Sequence, residues 1–208
     1  MSTRQERRAS AIQKRKEEQR HIQDRYKRRK MQKRLLIALG GLAVAAVIGW
    51  IGYAVYQNQQ DKQLLGDVET FDGLVATHVQ EPVEYEQVPP VGGEHNQVWQ
   101  NCGYYSVPLI NEHAVHALEH GAVWITYQPD LPADQVEIIQ EKAENQTYVL
   151  ASPYPDISAP VVASAWGKQI QLESATDPAL DAFLRTYRQG PQTLEPGALC
   201  TGGTSATQ

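Results

Sequence analysis

The sequence predicts an α+β fold, a small mixed sheet with packed helices, in an exported domain that follows one transmembrane helix and a basic cytoplasmic arm. Three observations lead to this prediction: a charge-free apolar run, a basic segment before it, and alternating strand and helix signals after it. The predicted boundaries are 1–34 for the arm, 35–56 for the transmembrane helix, 57–70 for a polar stalk, 71–200 for the domain and 201–208 for a disordered tail.

The N-terminal arm is strongly basic. Residues 1–34 carry 14 Lys/Arg against four Asp/Glu, a net charge of +10. This charge would attract anionic lipid headgroups, although a solvated tail that only fixes membrane orientation has the same composition. Nucleic acid would be attracted by the same charge, but we do not expect it as a partner.

The apolar run LLIALGGLAVAAVIGWIGYAVY follows at residues 35–56. As a helix it would be about 33 Å long, against a hydrocarbon core of roughly 30 Å. Lys and Arg stay on the cytoplasmic side and aromatic rings such as Trp50 and Tyr53 favour the far interface, so we expect a single-pass span of the cell membrane with a cytoplasmic N-terminus. A cleaved signal peptide fits less well, because the run is long and no small-residue cleavage pattern follows it.

The rest of the chain is acidic and holds both cysteines. Residues 35–208 carry five Lys/Arg against 20 Asp/Glu, a net charge of −15, so we expect this part outside the cytoplasm. Cys102 and Cys200 form no CxxC pair, which excludes a thioredoxin-type redox motif. Outside the cytoplasm such a pair is typical of a structural disulfide, which would add about 4–5 kcal/mol by the chain-entropy argument. Two unrelated buried thiols are the alternative.

Strand and helix signals alternate along the acidic part. Segments rich in β-branched and aromatic residues predict strands at 71–80, 122–128 and 147–152, the first of which carries His78. A hairpin of two further strands is predicted over 161–173, with its turn at Gly167-Lys168. Apolar spacing predicts helices at 111–121, 131–146 and 177–189. Asn111 is a suitable N-cap for the first helix, and Gly121 can end it in the left-handed conformation.

Histidines concentrate around that first helix. Within residues 95–120 the chain holds His95, His113, His116 and His120. His116 and His120 are neighbours one turn apart on a helix, so their imidazoles can bind one ion. His95, in a Pro/Gly-rich loop that could fold over the helix, is the predicted third ligand and His78 a fourth, whereas His113 in the first turn is not expected to be one. Imidazoles without thiolates suit zinc or copper(II).

The segment HALEH also matches HxxEH, the inverted zinc-protease motif. That pattern would make His116 and His120 zinc ligands and Glu119 the general base of a hydrolase. Three fixed positions are a weak signature, however, and Glu119 could instead complete the coordination or orient an imidazole. In a third hypothesis the histidines are hydrogen-bonded core residues of a cell-envelope interaction module. We favour metal binding without catalysis.

These segments also resemble a bacterial family, domain of unknown function 3105, over roughly residues 66–203. The resemblance is carried by THV with His78, YEQVPPVGGEH with Tyr85 and His95, NCGYY with Cys102, EHAVHALEHGAVWITYQP, SPYP, AWG with Trp166, and EPGALC with Cys200. It implies a basic arm, one membrane span, an exported domain and a polar signature formed by His78, His95, His116, Glu119 and His120. Val91 and Gly92 replace the Thr and Ser of the usual PPTSGxH loop, so no hydroxyl-dependent role is expected there. The family implies no activity.

Overall fold

The computed structural model describes residues 4–208, which divide into two compact units. The first unit ends at Gln57, and the second, called the C-terminal unit below, is Asn58–Gln208. Helix α1, Arg4–Leu64, extends past the predicted transmembrane segment and takes in the first half of the predicted stalk. Among the described residues, one helix, over Ile12–Leu64, is long and apolar enough to cross a membrane.

The C-terminal unit is a mixed α+β fold, as the sequence predicts. Its strands are β1 Glu69–Thr70, β2 Gly103–Tyr104, β3 Val123–Tyr127, β4 Val149–Pro153, β5 Val161–Ala165 and β6 Lys168–Leu172. They form one sheet in the order β1-β6-β5-β3-β4-β2. The pairs of β3 with β4 and of β4 with β2 are parallel, and the other three pairs are antiparallel. Its other helices are α2 Asn111–Glu119, α3 Ala133–Asn145 and α4 Pro178–Tyr187.

The central strand β3 is buried on both sides and separates two apolar layers. Side chains alternate along a strand, so Val123 and Ile125 enter a layer with α3 and α4, whereas Trp124 enters a layer with α2. We call these sides the α3/α4 face and the α2 face.

The element bounds confirm the predicted helices and the later predicted strands. The hairpin turns at Trp166-Gly167, one residue earlier than predicted.

Helix α2 ends as its glycine predicts. Gly121 has a φ of +91°, which strongly favours glycine. Its N–H donates to the Leu118 carbonyl at 2.9 Å, and the next N–H, of Ala122, donates to the Ala117 carbonyl at 2.9 Å. A side chain at Gly121 would collide with the side chains of Gln189 and Thr193. The end of α2 is thus fixed against the C-terminal segment.

Two local predictions at the start of the C-terminal unit and of α2 are wrong. Residues 71–80 form an irregular loop with a single bridge at His78, because the chain turns away from β6 at Gly73, where φ is +75°. The N-cap of α2 is Ile110 and not Asn111, whose side-chain amide instead donates to the Tyr154 hydroxyl at 3.1 Å.

The predicted disordered tail is also wrong. Thr204 donates its N–H to the Trp99 carbonyl at 2.9 Å and accepts from the Asn101 N–H at 2.8 Å. The N–H of Gln208 donates to the Pro108 carbonyl at 3.1 Å. Cys200 lies beside Cys102, which brings the polar tail next to backbone groups that need partners.

Candidate metal centre

Helix α2 buries three polar side chains against the apolar layer of its face. Relative exposure is 4% for His116, 5% for Glu119 and 4% for His120. Burying such groups is costly unless each has a partner. The positions of their partners therefore define what this part of the molecule can do.

The loop that carries His95 folds over α2, as the sequence predicts. Val91 is buried and accepts a hydrogen bond at 2.7 Å from the Gly167 N–H, and the Asn96 N–H donates to the Glu112 carbonyl at 3.3 Å. The loop is therefore held at both ends, by the β5–β6 turn and by the first turn of α2. His95 lies between these two contacts and is fully buried.

The loop that carries His78 joins the loop of His95 through backbone hydrogen bonds. The His95 N–H donates to the Thr77 carbonyl at 3.0 Å, and the Val79 N–H donates to the His95 carbonyl at 2.7 Å. The imidazole of His78 stacks on that of His116 with 4.9 Å between ring centroids, while its side chain stays 47% exposed. His78 is thus the part of the cluster that solvent reaches.

Backbone carbonyls fix the tautomer of each buried histidine. The Nδ1–H groups donate at 2.8 Å from His95 to Gly93, at 2.6 Å from His116 to Asn96 and at 2.7 Å from His120 to Leu199. A carbonyl can only accept, so the proton lies on Nδ1, and Nε2 of each neutral ring presents a lone pair. Metal-binding histidines are oriented by the same kind of bond.

Four ligand atoms converge in front of α2. One atom from each of His78, His95, His116 and Glu119 lies within 4.8 Å of the other three. The rings of His78, His95 and His116 form a triangle with 4.9 Å between centroids. The Glu119 Oε2 atom is 2.9 Å from His95 Nε2 and 3.8 Å from His78 Nε2. This group could hold a metal ion.

His120 adjoins the group on the far side of His116. Their Nε2 atoms are 2.9 Å apart, and His120 Nε2 is also 3.4 Å from the Glu195 carboxylate, which is half-exposed. The sequence predicts His78, His95, His116 and His120 as the ligands. The group of mutually close ligand atoms includes Glu119 in place of His120. His113 lies outside this group and donates its Nδ1–H to the Val98 carbonyl at 2.5 Å.

Burial keeps His116 neutral. Loss of solvation is the main cause that lowers the pKa of His116 to about 4. The hydrogen bond to the Asn96 carbonyl opposes this lowering, and the nearby rings of His120, His95 and His78 add to it. At neutral pH its Nε2 therefore keeps the lone pair that a metal ion requires.

The C-terminal segment closes the site around His120. Cys102 and Cys200 lie at disulfide distance, with 5.4 Å between their Cα atoms, and the Cys102 N–H donates to the Cys200 carbonyl at 2.8 Å. Cys200 directly follows Leu199, whose carbonyl receives the His120 Nδ1–H. The side-chain amide of Gln189 donates to the main-chain carbonyl of His120. The cysteine pair therefore lies next to Leu199, whose carbonyl orients His120.

Sequence reasoning missed two side chains beside the cluster. Trp99 packs its indole ring 5.0 Å from His120 and 5.8 Å from His116, between centroids. Glu195 approaches His120 from the C-terminal segment. Glu195 lies in the EPGALC segment that carries the family resemblance, which is the one signal that could have identified it.

The sequence model of one family, described as "Protein of unknown function (DUF3105)", matches residues 78–202, more than half of the chain. The chain belongs to this family. The match begins at His78 and ends two residues after Cys200, so it includes every residue of the cluster. Neither the curated proteins nor the solved structures contain a match to this DUF3105 chain.

Proposed function

We propose that the DUF3105 domain of this chain binds a divalent transition-metal ion, zinc or copper, on the extracytoplasmic side of the cell membrane. The ligands are His78, His95, His116 and Glu119, with His120 beside them. Residues 35–56 would anchor the domain in lipid, with the basic arm near anionic headgroups of the cytoplasmic leaflet. The proposal is carried by the convergence of the four ligand atoms within 4.8 Å.

The direction of the lone pairs supports a metal over simple packing. His95 Nε2 lies 2.9 Å from the Glu119 carboxylate, and His116 Nε2 lies 2.9 Å from His120 Nε2. The Nδ1–H groups of His95, His116 and His120 are all used by carbonyls, so each contact brings two acceptors together unless a proton or a metal ion lies between them. A divalent ion in this position accepts the lone pairs of His95, His116 and Glu119 and removes the repulsion between His95 and Glu119. The acidic surroundings, 20 Asp/Glu against five Lys/Arg over residues 35–208, favour the approach of cations.

The position of Glu119 bears on the hydrolase alternative. A general base takes a proton from a metal-bound water and is not itself a ligand of the metal. Glu119 Oε2 lies among the ligand atoms, 2.9 Å from His95 Nε2, which supports a ligand role. We therefore do not propose hydrolysis. The interaction-module alternative differs by requiring no bound metal.

Elemental analysis tests the proposal directly. The full chain is purified in detergent without a histidine tag, reconstituted with zinc or copper(II) and freed of loosely bound ions. We expect about one ion per chain, since the donors surround one point. Absence of a stoichiometric ion after reconstitution would overturn the proposal and leave the interaction-module hypothesis.

Asparagine substitutions identify the ligands with little disturbance. Asparagine in place of His116 can still donate an amide N–H to the Asn96 carbonyl, but it has no atom at the Nε2 position. We expect His116→Asn to lose the ion. His113→Asn is the matched control, because His113 lies on the same helix, donates its Nδ1–H to a carbonyl in the same way, and is outside the group.

Glu119→Gln separates the ligand role from the general-base role. We expect this substitution to weaken metal binding by at least about 10–100-fold, the range for perturbing a group that tunes a metal site. An unchanged metal affinity would contradict the ligand role of Glu119 and restore the hydrolase hypothesis.

A further inference from the structure

The four ligand atoms of the candidate metal centre are not held equally. We infer that His78 is an exchangeable ligand, and that the ion enters and leaves on its side of the centre when an external nitrogen donor takes the place of its ring. The other three donors hold the ion during this exchange. This inference rests on the proposed function and adds the way in which the site is loaded and unloaded.

Three of the four donors are buried and held in place. Relative exposure is 0% for His95, 4% for His116 and 5% for Glu119. The Nδ1–H of His95 donates to the Gly93 carbonyl, and the Nδ1–H of His116 donates to the Asn96 carbonyl. Bonds of this kind fix the ring orientation of metal-binding histidines. Because side chains in protein interiors are close-packed, rotating any of these three would require repacking of the α2 face.

The side chain of His78 differs from these three in both respects. It is 47% exposed, and its Nε2 atom lies 3.8 Å from Glu119 Oε2, beyond hydrogen-bond distance. Among the described residues, no carbonyl accepts a hydrogen bond from its ring. The ring instead contacts the rings of His95, edge-on, and of His116, stacked, with 4.9 Å between centroids in each case. His78 is therefore the donor of this group that can move by side-chain rotation alone.

The backbone at His78 can stay in place while the ring moves. The Thr77 carbonyl accepts from the His95 N–H at 3.0 Å, and the Val79 N–H donates to the His95 carbonyl at 2.7 Å. These bonds flank His78 on both sides, and rotation of its side chain breaks neither. Nearly half of the side chain already faces water, so an outward rotation leaves no closed cavity in the core. The ring can return to the ion for the same reasons.

The exchange replaces one lone pair with another. The ion keeps its bonds to the Nε2 atoms of His95 and His116 and to a carboxylate oxygen of Glu119. Its bond to His78 breaks, a bond to the external donor forms, and no electron is transferred. Zinc centres with three protein ligands and an open fourth position accept external ligands, whereas closed four-ligand sites are structural. Rotation of His78 converts the closed arrangement into the open one.

The first test uses the wild-type chain and does not depend on a variant. The full chain is purified in detergent without a histidine tag, loaded with zinc or, in a separate sample, with copper(II), and mixed with a coloured chelator that has nitrogen donors. If the chelator takes the place of His78 while the ion is still bound, the rate of release rises with the chelator concentration. A rate that does not depend on this concentration would mean that the ion leaves before any donor arrives, and would overturn the inference.

His78→Ala assigns this route to His78. We expect the variant still to bind about one ion per chain through the three buried donors. It should release the ion at least roughly tenfold faster at the same chelator concentration, since lost contacts act mainly on the dissociation rate. Added imidazole should bind to the copper-loaded variant and restore coupling to one nitrogen in its EPR spectrum. His113→Ala, on α2 but outside the group of ligand atoms, should behave as the wild type in all three measurements.

The outcomes separate this inference from the proposed function. A His78→Ala chain that is folded by circular dichroism but holds no ion would show that His78 is as necessary as the buried donors, and would overturn the exchange role alone. An unchanged rate of release from His78→Ala would also overturn that role while the metal centre remains. If the wild-type chain binds neither zinc nor copper, the proposed function itself fails.

Discussion

The two faces of the sheet in the C-terminal unit are covered in different ways. The α3/α4 face is a continuous apolar cluster in which Ile139 and Phe183 are fully buried. The α2 face is covered by one helix of 9 residues, irregular loops and a cysteine pair. It also buries four ionisable side chains, those of His95, His116, Glu119 and His120.

The difference separates two sources of stability. Burial of apolar surface on the α3/α4 face is non-directional and needs no bound ion. The α2 face depends on specific partners, since its polar groups are costly when unpaired. Its stability should therefore respond to the cysteine pair, to pH and to metal, whereas the stability of the α3/α4 face should not.

The largest effect is expected from the cysteine pair. Replacing Cys102 and Cys200 together with serine should lower the free energy of unfolding of the C-terminal unit by about 4–5 kcal/mol. A disulfide across 98 positions lowers the conformational entropy of the unfolded chain, and the double variant loses this effect. Denaturant unfolding of the full chain in detergent measures this change. Metal affinity should fall as well, because Leu199 loses its anchor next to Cys200. Full stability and affinity in the double variant would show that the segment is held by its hydrogen bonds alone.

Phe183→Ala tests the other face. We expect a loss of about 3–5 kcal/mol in the free energy of unfolding, since the variant leaves a cavity at a fully buried position. The loss should be the same with and without bound metal. Thr186→Ala, later on the same helix and only partly buried, should change stability by less than about 0.5 kcal/mol. A loss that depends on metal would contradict the independence of the two faces.

The sequence predicts the α3/α4 face better than the α2 face, for a physical reason. Helix α3 and the strands β3 and β4 are visible as local apolar patterns, because their buried residues recur with the period of the element. The one-residue shift of the hairpin turn changes none of this packing. Local periodicity is therefore enough for this half of the unit.

The α2 face depends on contacts that have no local pattern. His116 and His120 are identifiable from their spacing, and His95 from its Pro/Gly loop. The carbonyls that orient them cannot be predicted, because every residue has one and only the fold decides which is near. The same reason explains the failed prediction for the tail, whose polar composition looks disordered until Cys200 is placed next to Cys102.

The pH dependence of the metal-free protein should come partly from His116. Burial lowers its folded-state pKa to about 4, against about 6.5 in the unfolded chain. Between these values the unfolded chain binds a proton that the folded protein does not, so stability falls as pH decreases from about 6.5 to about 4. The loss is at most about 3 kcal/mol. Unfolding of chelator-treated protein at several pH values measures it.

His116→Asn is the control for this pH effect. The variant should show a shallower decline over the same pH interval, since the other ionisable groups of the α2 face remain. Parallel profiles for the two proteins would mean that the buried ring of His116 does not set the acid sensitivity of this face.

The smallest effect is expected at Gly92, in the loop that carries His95. A Cβ atom there would lie 2.8 Å from a Leu74 methyl carbon and 3.2 Å from the Trp166 ring, at a φ of +148°. Gly92→Ala should therefore cost about 1–3 kcal/mol of stability through backbone strain. It should also weaken metal binding, because the strained loop displaces His95, and titration of the full chain with copper(II) or zinc measures the affinity.

Gly73→Ala provides the matched comparison. Gly73 also has a positive φ, +75°, but an added Cβ atom would meet nothing within 4 Å. Its substitution should cost a similar strain energy of about 1–2 kcal/mol and leave metal affinity unchanged. If both variants lose stability and neither loses affinity, the position of His95 does not depend on this loop conformation, and the tethers to Gly167 and to α2 are sufficient to place it.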